Sequence, residues 1–187
     1  MLRSSMAPAP DPETIHAAVR DDREALEEVL RYLHPIVFRF LAFRFSGLRE
    51  GVEDATQDTL VAVIQGLKRY RGQGSLKAWA LRIAFRTARR HQDRGDRPDA
   101  VSALEPPDGV FRVDPEDRGL AVDMLRALGR LTEKKRDALI LTEVFDLTAV
   151  EAASVLGSFE NTVRSRCRHA KAELADFLET KEDGHGS

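Results

Sequence analysis

The chain has 187 residues, of which 42% are hydrophobic and 32% are charged, and its formal net charge is −2 at pH 7. A net charge this close to zero excludes overall attraction to nucleic acid or to a membrane surface, so any such attraction must come from a local patch. The single cysteine, Cys167, excludes an intramolecular disulfide and a zinc site made of several cysteines.

Every strong hydrophobic pattern has the helical period, and no segment alternates with period two. We therefore predict an all-α protein of two small helical domains joined by a flexible linker, the second containing a helix-turn-helix. The linker is predicted where the chain is rich in Pro, Asp and Gly and has no periodicity. The predicted boundaries are a flexible tail at 1–23, a domain at 24–94, the linker at 95–117, a domain at 118–179 and a flexible tail at 180–187.

The first domain begins with a stripe of apolar residues that predicts a helix. Pro35 lies inside this pattern, and we expect it to kink or split the helix. The inward residues are predicted to be Leu26, Val29, Leu30, Leu33, Val37, Phe40 and Leu41.

A second helix is predicted with an acidic beginning. Asp54, Gln57 and Asp58 share one face because they are spaced by three and four residues. Acids near a helix N-terminus interact favourably with its dipole, and the same face is also suited to a protein partner. Both interpretations stay open at this point. The inward residues are predicted to be Val52, Ala55, Thr59, Leu60, Val63, Ile64 and Leu67.

A basic helix follows, with Ser75 as its predicted N-cap. The segment from Lys68 to Arg97 contains ten Lys or Arg residues and two acids, a balance of +10 − 2 = +8. We expect an inward face of Leu76, Trp79, Ala80, Ile83, Ala84 and Thr87, and an outward face of Arg82, Phe85, Arg86 and Arg89. An exposed aromatic ring among arginines suits single-stranded nucleic acid, although the pattern by itself indicates only a polyanion.

The second domain is predicted to contain helices before and after a tight turn. The first has Ala121, Met124, Leu125 and Leu128 inward, and a second runs from Thr132 as cap to about Phe145. Thr148 and Glu151 then form a capping box, Gly157 ends the helix, and Ser158 is expected to cap the next one.

This last helix has the features of a DNA-reading helix. Its inward residues are predicted to be Val163, Cys167, Ala170, Leu174 and Phe177, with Cys167 packed in the core rather than redox-active. Off this stripe lie Asn161, Arg164, Ser165 and Arg168, side chains that can bind base edges and phosphates. The alternative is a helical hairpin with a solvated basic face.

Together these segments resemble the extracytoplasmic function group of bacterial sigma factors. DATQDTLVAVIQGLKRYRGQGSLKAWALRIAFRTARRHQDR is similar to the family's region two, and LGRLTEKKRDALILTEVFDLTAVEAASVLGSFENTVRSRCRHAKAEL to its region four. The D-x-x-Q-[DE], R-G-x-G-S-x-x-x-W and LG-S-x-x-T-V-x-S-R motifs are jointly specific, and their order matches. The resemblance covers most of residues 24–178.

The resemblance implies a factor that binds core RNA polymerase and promoter DNA, and the family usually has an anti-sigma partner. It assigns Asp54, Gln57 and Asp58 to the polymerase clamp helices. The residues implied at the minus-ten element, with one base flipped out, are Arg71, Gly72, Gln73, Gly74, Ser75, Lys77, Arg82, Phe85, Arg86 and Arg89. Those implied at the minus-thirty-five element are Ser158, Glu160, Asn161, Arg164, Ser165, Arg166 and Arg168.

The chain departs from the family's pattern at several positions. Leu60 stands where an aromatic residue is common, and Arg86 where an asparagine is common. Glu160 and Asn161 begin the recognition helix in SFENTV, where the family often has S-x-G-T-V. The change at Arg86 bears on which minus-ten bases are recognised, and the changes in SFENTV predict an unusual preference at the minus-thirty-five element.

Two other function classes are compatible with parts of the sequence. A stand-alone helix-turn-helix regulator would need only the second domain, and a helical adaptor without DNA contacts would need neither basic helix. We predict no enzyme activity and no cofactor, because the chain has no phosphate-binding glycine loop, paired metal ligands or nucleophile–base pattern. It has no signal sequence and no long apolar run, so we expect a cytoplasmic protein without membrane insertion.

Overall fold

The computed structural model describes residues 8–45, 49–72, 74–93 and 127–182, and these form two compact units of helices. The predicted linker at 95–117 and the first inward residues of the second domain, Ala121, Met124 and Leu125, lie outside the described residues. All regular structure in the described ranges is helical, as the sequence predicts.

The described part of the first unit contains four helices, α1 (Pro12–Val19), α2 (Arg23–Arg44), α3 (Arg49–Leu67) and α4 (Leu76–Asp93). Helix α1 corrects the predicted flexible tail at 1–23. The Asp11 carboxylate accepts a 2.7 Å hydrogen bond from the Thr14 amide, and a proline at the first helical position is already in the required conformation. Helix α1 packs on α2, so it belongs to the folded unit.

Helix α2 runs through Pro35 without being split. Proline removes one hydrogen bond of the ladder, but Leu33, Ile36 and Val37 beside it are buried almost completely, and this packing keeps the helix continuous. Most of the C-terminal half of α2, from Ile36 onward, is buried, and this half forms the centre of the unit, against which α3 and α4 both pack.

Helix α3 buries most of its predicted inward residues, together with two threonines. The Thr56 and Thr59 hydroxyls each donate a 2.7 Å hydrogen bond to the carbonyl four residues earlier, which satisfies them inside the core. Ile64 corrects the prediction, because 40% of it is exposed, and Leu60 is half-buried.

Helix α4 begins after Ser75, whose hydroxyl accepts a hydrogen bond from the Ala78 amide, so the predicted cap is confirmed. Its buried residues are mostly smaller than predicted, and they are Leu76, Ala78, Ala80, Leu81, Ala84, Thr87, Ala88 and His91. Trp79 and Ile83 are only half-buried. The small alanines let α4 approach its neighbours closely, which leaves no space for the indole in the centre.

The second unit contains α5 (Glu133–Leu139), which continues as a π-helical turn at Ile140–Val144, then α6 (Ala149–Leu156) and α7 (Glu160–Glu182). Residues 127–130 form a helical turn before α5. Thr132 stands at the cap position of α5, but its side chain makes no capping hydrogen bond. Helix α7 includes residues 180–182, which corrects the predicted start of the C-terminal tail.

The turn between α6 and α7 has the predicted geometry. Thr148 and Glu151 form the complete capping box, and Gly157 ends α6 in the left-handed conformation with φ 61°. Ser158 is not the cap of α7. The helix begins at Glu160, and the Phe159 carbonyl accepts hydrogen bonds from the amides three and four residues later.

Two glycines provide a matched test of this turn. Gly157→Ala should destabilise the second unit by about 1–2 kcal/mol, because a Cβ in the left-handed region is strained. Gly51→Ala should stabilise the first unit by about 0.5–1 kcal/mol, because Gly51 lies in α3 and alanine favours a helix. A Cβ at either position meets no atom within 4 Å, so only the backbone differs.

Thermal unfolding followed by circular dichroism measures both changes. Equal shifts of the same sign in the two variants would contradict the assignment of a conformational requirement to Gly157.

Candidate nucleic-acid and protein interfaces

Three polar surfaces of the described helices contain the residues that the sequence singled out. The first is the exposed face of α3, defined by Asp54, Gln57 and Asp58, all of which are exposed. The same face continues one turn later with Val61 and Ile64, which are 52% and 40% exposed. The acidic turn therefore borders an exposed apolar patch. Ile64 was predicted to be buried, and Val61 was not among the predicted site residues.

One carboxylate of this α3 face is bonded to the neighbouring helix. The Asp58 Oδ2 atom lies 2.9 Å from Nε2 of His91 near the C-terminal end of α4. The imidazole is largely buried, whereas the Asp58 side chain is 58% exposed. A carboxylate only accepts hydrogen bonds, so Nε2 carries the proton in this contact. The pair was not predictable from spacing along a helix, because its members are 33 residues apart.

The second surface is the basic face of α4. Arg86, Arg89 and Arg90 are exposed, and their spacing of one to four residues places them along one side of the helix. Arg82 shares this side but is half-buried. Arg90 was not among the predicted site residues, although it lies one turn after Arg86; its guanidinium donates to the Thr87 hydroxyl at 3.1 Å.

Two residues predicted for this basic face are placed differently. Phe85 is half-buried, and the Arg44 guanidinium lies 5.2 Å from its ring centroid. The expectation of a freely exposed ring is therefore wrong, because a cation–π contact covers part of it. Lys77 is half-buried and stands seven residues before the buried Ala84, on the same side of the helix, away from the arginines.

The loop before α4 is shaped by two glycines and an aromatic pair. Gly72 and Gly74 both have positive φ, at 68° and 79°. The Tyr70 hydroxyl donates a 3.0 Å hydrogen bond to the Gly74 carbonyl, and its ring lies 5.2 Å from the Trp79 ring. Arg71 and both glycines are exposed, whereas Gln73 lies outside the described residues.

Trp79 is held from its other side by α3. A Cβ added to Gly66 would lie 3.2 Å from the Trp79 ring, so a glycine there leaves room for the indole. This contact explains why Trp79 lies on the flank of α4 and supports the loop, rather than pointing into the centre of the core.

The third surface is the exposed face of α7. Asn161, Arg164 and Arg168 are exposed and Ser165 is half-exposed, at the spacing of one helical face opposite the fully buried Val163. The structure does not bring Arg166 to this face. It is half-buried and lies about 200° around the helix from Arg164.

An ion pair joins two of the predicted readers on α7. The Arg164 guanidinium donates to Glu160 Oε1 from Nε at 2.9 Å and from Nη2 at 2.5 Å. Both side chains are solvated, so the pair contributes little to stability, but it sets the orientation of the guanidinium. Any base contact by Arg164 must replace or share this bond.

The most exposed large apolar residue of the described chain also lies here. Phe159 is 83% exposed at the start of α7, directly before Glu160. Phe159 was not among the predicted site residues, although its position outside the apolar stripe of the helix can be recognised in the sequence. The Ser158 side chain beside it is half-buried.

The opposite side of α7 is fixed to the rest of its unit. Cys167 is half-buried, and its Sγ lies 3.4 Å from the Thr142 hydroxyl in the π-helical turn. Cys167 lies on the inward stripe that the sequence predicts, but it is half-buried rather than enclosed in the core. Lys171 stands two turns after Arg164 on the exposed side of α7, and it is ion-paired with Glu143 at 3.0 Å.

The described ranges contain neither a metal site nor a membrane-spanning helix. Within them, no three His, Cys, Asp or Glu side chains are arranged to hold a metal ion. None of the helices in those ranges is long and apolar enough to cross a membrane.

Comparison with known proteins finds a family for both units. Residues 29–97 match Sigma-70 region 2, and residues 121–174 match Sigma-70 region 4. The chain is 30% identical over 181 residues to the ECF RNA polymerase sigma factor ShbA of Streptomyces griseus, covering 88% of this chain and 93% of that protein. It is 34% identical over 171 residues to the ECF RNA polymerase sigma factor SigD of Mycobacterium bovis, covering 86% and 80%.

Two solved structures share the fold. One is CnrH in complex with the cytosolic domain of CnrY, with a TM-score of 0.65 and 22% identity over 90% of this chain and 96% of that chain. The other is the sigma factor RpoE in complex with the anti-sigma factor NepR from Bartonella quintana, with a TM-score of 0.64 and 22% identity over 83% and 98%.

The tyrosines provide a test of the loop geometry that does not depend on any ligand. Burial raises the pKa of Tyr70, and also that of Tyr32, above the ordinary value of 10.0. The folded state therefore holds the phenolic protons more tightly than the unfolded state. This contribution to stability is complete below the unfolded pKa and is lost as the pH rises through the folded pKa.

These are the only two tyrosines in the chain, so tyrosinate absorbance reports on both. In the folded protein both phenols should titrate above 10.0, and in denaturant both should return to it. Tyr70→Phe should remove one of the two raised titrations. A Tyr70 phenol that titrates at its ordinary value in the folded protein would contradict the described loop.

Proposed function

Because the chain belongs to the extracytoplasmic function sigma factors of the sigma-70 family, we propose that three surfaces divide its work. The exposed face of α3 binds core RNA polymerase, the basic face of α4 and the loop before it hold the melted minus-ten element, and α7 reads the minus-thirty-five element. The chain is a promoter-directing sigma factor, and family membership confirms the function predicted from the sequence.

One observation carries this division of work. A single chain combines a helix-turn-helix with a separate helical unit that presents an acidic face on α3 and a basic face on α4. A stand-alone helix-turn-helix regulator has no use for the first unit, and an adaptor without DNA contacts has no use for two basic helices. A factor that joins polymerase to promoter DNA needs all of them.

The α3 face is suited to a protein because it joins acids to apolar side chains. Asp54 and Asp58 supply charge complementarity to a basic partner, which favours specific and rapid association. Val61 and Ile64 supply apolar area that can be buried on binding. An acidic face repels DNA phosphates, which favours a protein as its partner.

The α4 face is suited to a single strand. Arg86, Arg89 and Arg90 offer exposed charge to phosphates along one side of the helix. The half-buried Phe85 ring, covered in part by Arg44, offers less stacking area than a free ring would. The loop at 71–75, shaped by two left-handed glycines, is the proposed position of the flipped base.

The α7 face is suited to the major groove of a duplex. Asn161 and Arg164 can each form two hydrogen bonds to a purine, and Arg168 can hold a phosphate. Phe159, which follows the turn, is suited to contact a thymine methyl group. We assign Arg166, on the flank, to the phosphate backbone rather than to a base.

Partners and location follow from the same assignment. RpoE is bound to the anti-sigma factor NepR in its solved structure, and we propose a partner of this kind for this chain. A factor that works on core polymerase and the chromosome acts in the cytoplasm. We propose no enzyme activity of its own.

Promoter opening with core polymerase tests the α4 assignment and the function together. Arg86→Ala with Arg89→Ala should impair permanganate-detected melting and reduce the salt slope of DNA binding by roughly two, one for each lost phosphate contact. Each substitution should change folding stability by about 0.5 kcal/mol or less, because both side chains are exposed.

The matched control is Arg20→Ala with Arg31→Ala, which removes the same charge from exposed positions at the end of α1 and on α2. Normal melting by the α4 variant would show that its arginines are only solvated. Failure of the wild-type chain to open any promoter with core polymerase would contradict the function itself.

Duplex binding tests the α7 assignment. Arg164→Ala should weaken minus-thirty-five binding and relax base preference by about 1–3 kcal/mol at one position. Unchanged base preference in Arg164→Ala would remove that residue from the readout.

The contact of Phe159 with a thymine methyl group has its own test. Deoxyuridine lacks this methyl group, so replacing thymine by deoxyuridine should weaken binding by the wild-type chain and leave binding by Phe159→Ala unaffected. Val150→Ala, which removes another exposed apolar side chain, is the control.

A further inference from the structure

The pair formed by His91 and Asp58 joins the two surfaces of the first unit that have different proposed partners. Asp58 belongs to the α3 face, and His91 follows the exposed arginines of α4. We propose that His91 is a positioning residue for polymerase binding, because its imidazole holds the Asp58 carboxylate in the orientation that the polymerase recognises. This inference rests on the proposed role of the α3 face.

The two side chains of the pair are buried to different extents. The His91 side chain is 10% exposed, whereas that of Asp58 is 58% exposed. If the carboxylate turned away, a nearly buried N–H group would lose its acceptor, which is costly. The imidazole therefore restricts Asp58, while much of the carboxylate stays accessible to a partner.

The imidazole is itself fixed. The edge of the His91 ring meets the Phe45 ring at the end of α2, with ring centroids 6.3 Å apart and an interplanar angle of 77°. The next residue, Gln92, accepts a 3.0 Å hydrogen bond from the Arg44 guanidinium. The end of α4 is thus attached to the end of α2 at two consecutive residues, so His91 has little freedom to follow a moving carboxylate.

A carboxylate that can rotate freely before binding loses conformational entropy when it becomes part of an interface. A side chain that is ordered before binding loses less conformational entropy when the partner docks. Asp54 stands one turn earlier on the same face, and as a polymerase contact it would not depend on His91. A substitution of His91 should therefore impair the contact that Asp58 makes with polymerase and leave the contact of Asp54 unchanged.

Core polymerase affinity, measured with the labelled full chain, tests the proposal. His91→Leu removes the donor while keeping an apolar side chain beside Phe45, and it should lower the affinity about fivefold. His91→Gln retains an N–H donor on a side chain of comparable length and should stay within about twofold of wild type. Thermal melts of each variant report separately on folding.

Double variants separate positioning from folding. In the Asp58→Ala background, His91→Leu should cause no further loss of affinity, because the carboxylate that it orients is gone. In the matched Asp54→Ala background, the full loss should remain, because independent sites act additively. An equal loss in both backgrounds would mean that His91 acts through the fold, and it would overturn the proposal even if the single variant behaves as expected.

Two other results would also overturn it, and they differ in meaning. If Asp58→Ala weakens polymerase binding and His91→Leu does not, Asp58 works without positioning, and the role of the α3 face stands. If Asp54→Arg and Asp58→Ala both bind polymerase normally, the α3 face is not the polymerase site and the inference fails with it. Promoter opening by the wild-type chain would then still support its function as a sigma factor.

Discussion

The burial of the C-terminal half of α2 is the interaction on which the first unit depends. From Ile36 to Phe45 almost every side chain is buried, including Arg39 and Arg44. Helices α3 and α4 both pack on α2 and on each other, and the acidic face of α3 and the basic face of α4 are left exposed. The two surfaces therefore lie on neighbouring helices, and they meet where His91 contacts Asp58.

Placing a basic surface beside an acidic one creates a risk that each neutralises the other. The described structure limits this by giving the charges nearest the helix junction specific partners. Asp58 meets an imidazole rather than an arginine, and Arg44 meets the Gln92 amide and the Phe85 ring. Polar and aromatic groups satisfy these charges without cancelling them. The arginines farther out on α4 keep their charge for a polyanion.

The second unit must hold its DNA-reading helix, α7, in place before DNA binds. The side of α7 that packs on the rest of the unit is held by the buried Val163 and Ala170. The ion pair between Lys171 and Glu143 connects the exposed side of α7 to the same unit. On its reading side, the Glu160 carboxylate accepts a hydrogen bond from the Arg164 guanidinium. This bond orders the guanidinium but uses donors that a base contact would need. A base contact by Arg164 must therefore compete with the Glu160 carboxylate, which stands one turn earlier on the same helix.

The sequence by itself determined the features that depend on local chemistry. The helical period, the capping box at Thr148, the Ser75 cap and the left-handed Gly157 follow from interactions within a few residues, and all were predicted. The motifs around Asp54 and Arg164 carried the family and hence the function. The faces of α3 and α7 were largely predictable for the same reason, since spacing along a helix sets direction.

Only the tertiary structure decided which neighbours cover each face. Helix α1 forms where a tail was expected, because its apolar side has α2 to pack on. Trp79 lies over Gly66, Phe85 under Arg44, and His91 against Asp58, in each case across helices. The pattern along one helix predicts which side chains are buried, but it does not predict which residue of another helix covers them. That choice depends on the angles and distances at which the helices pack.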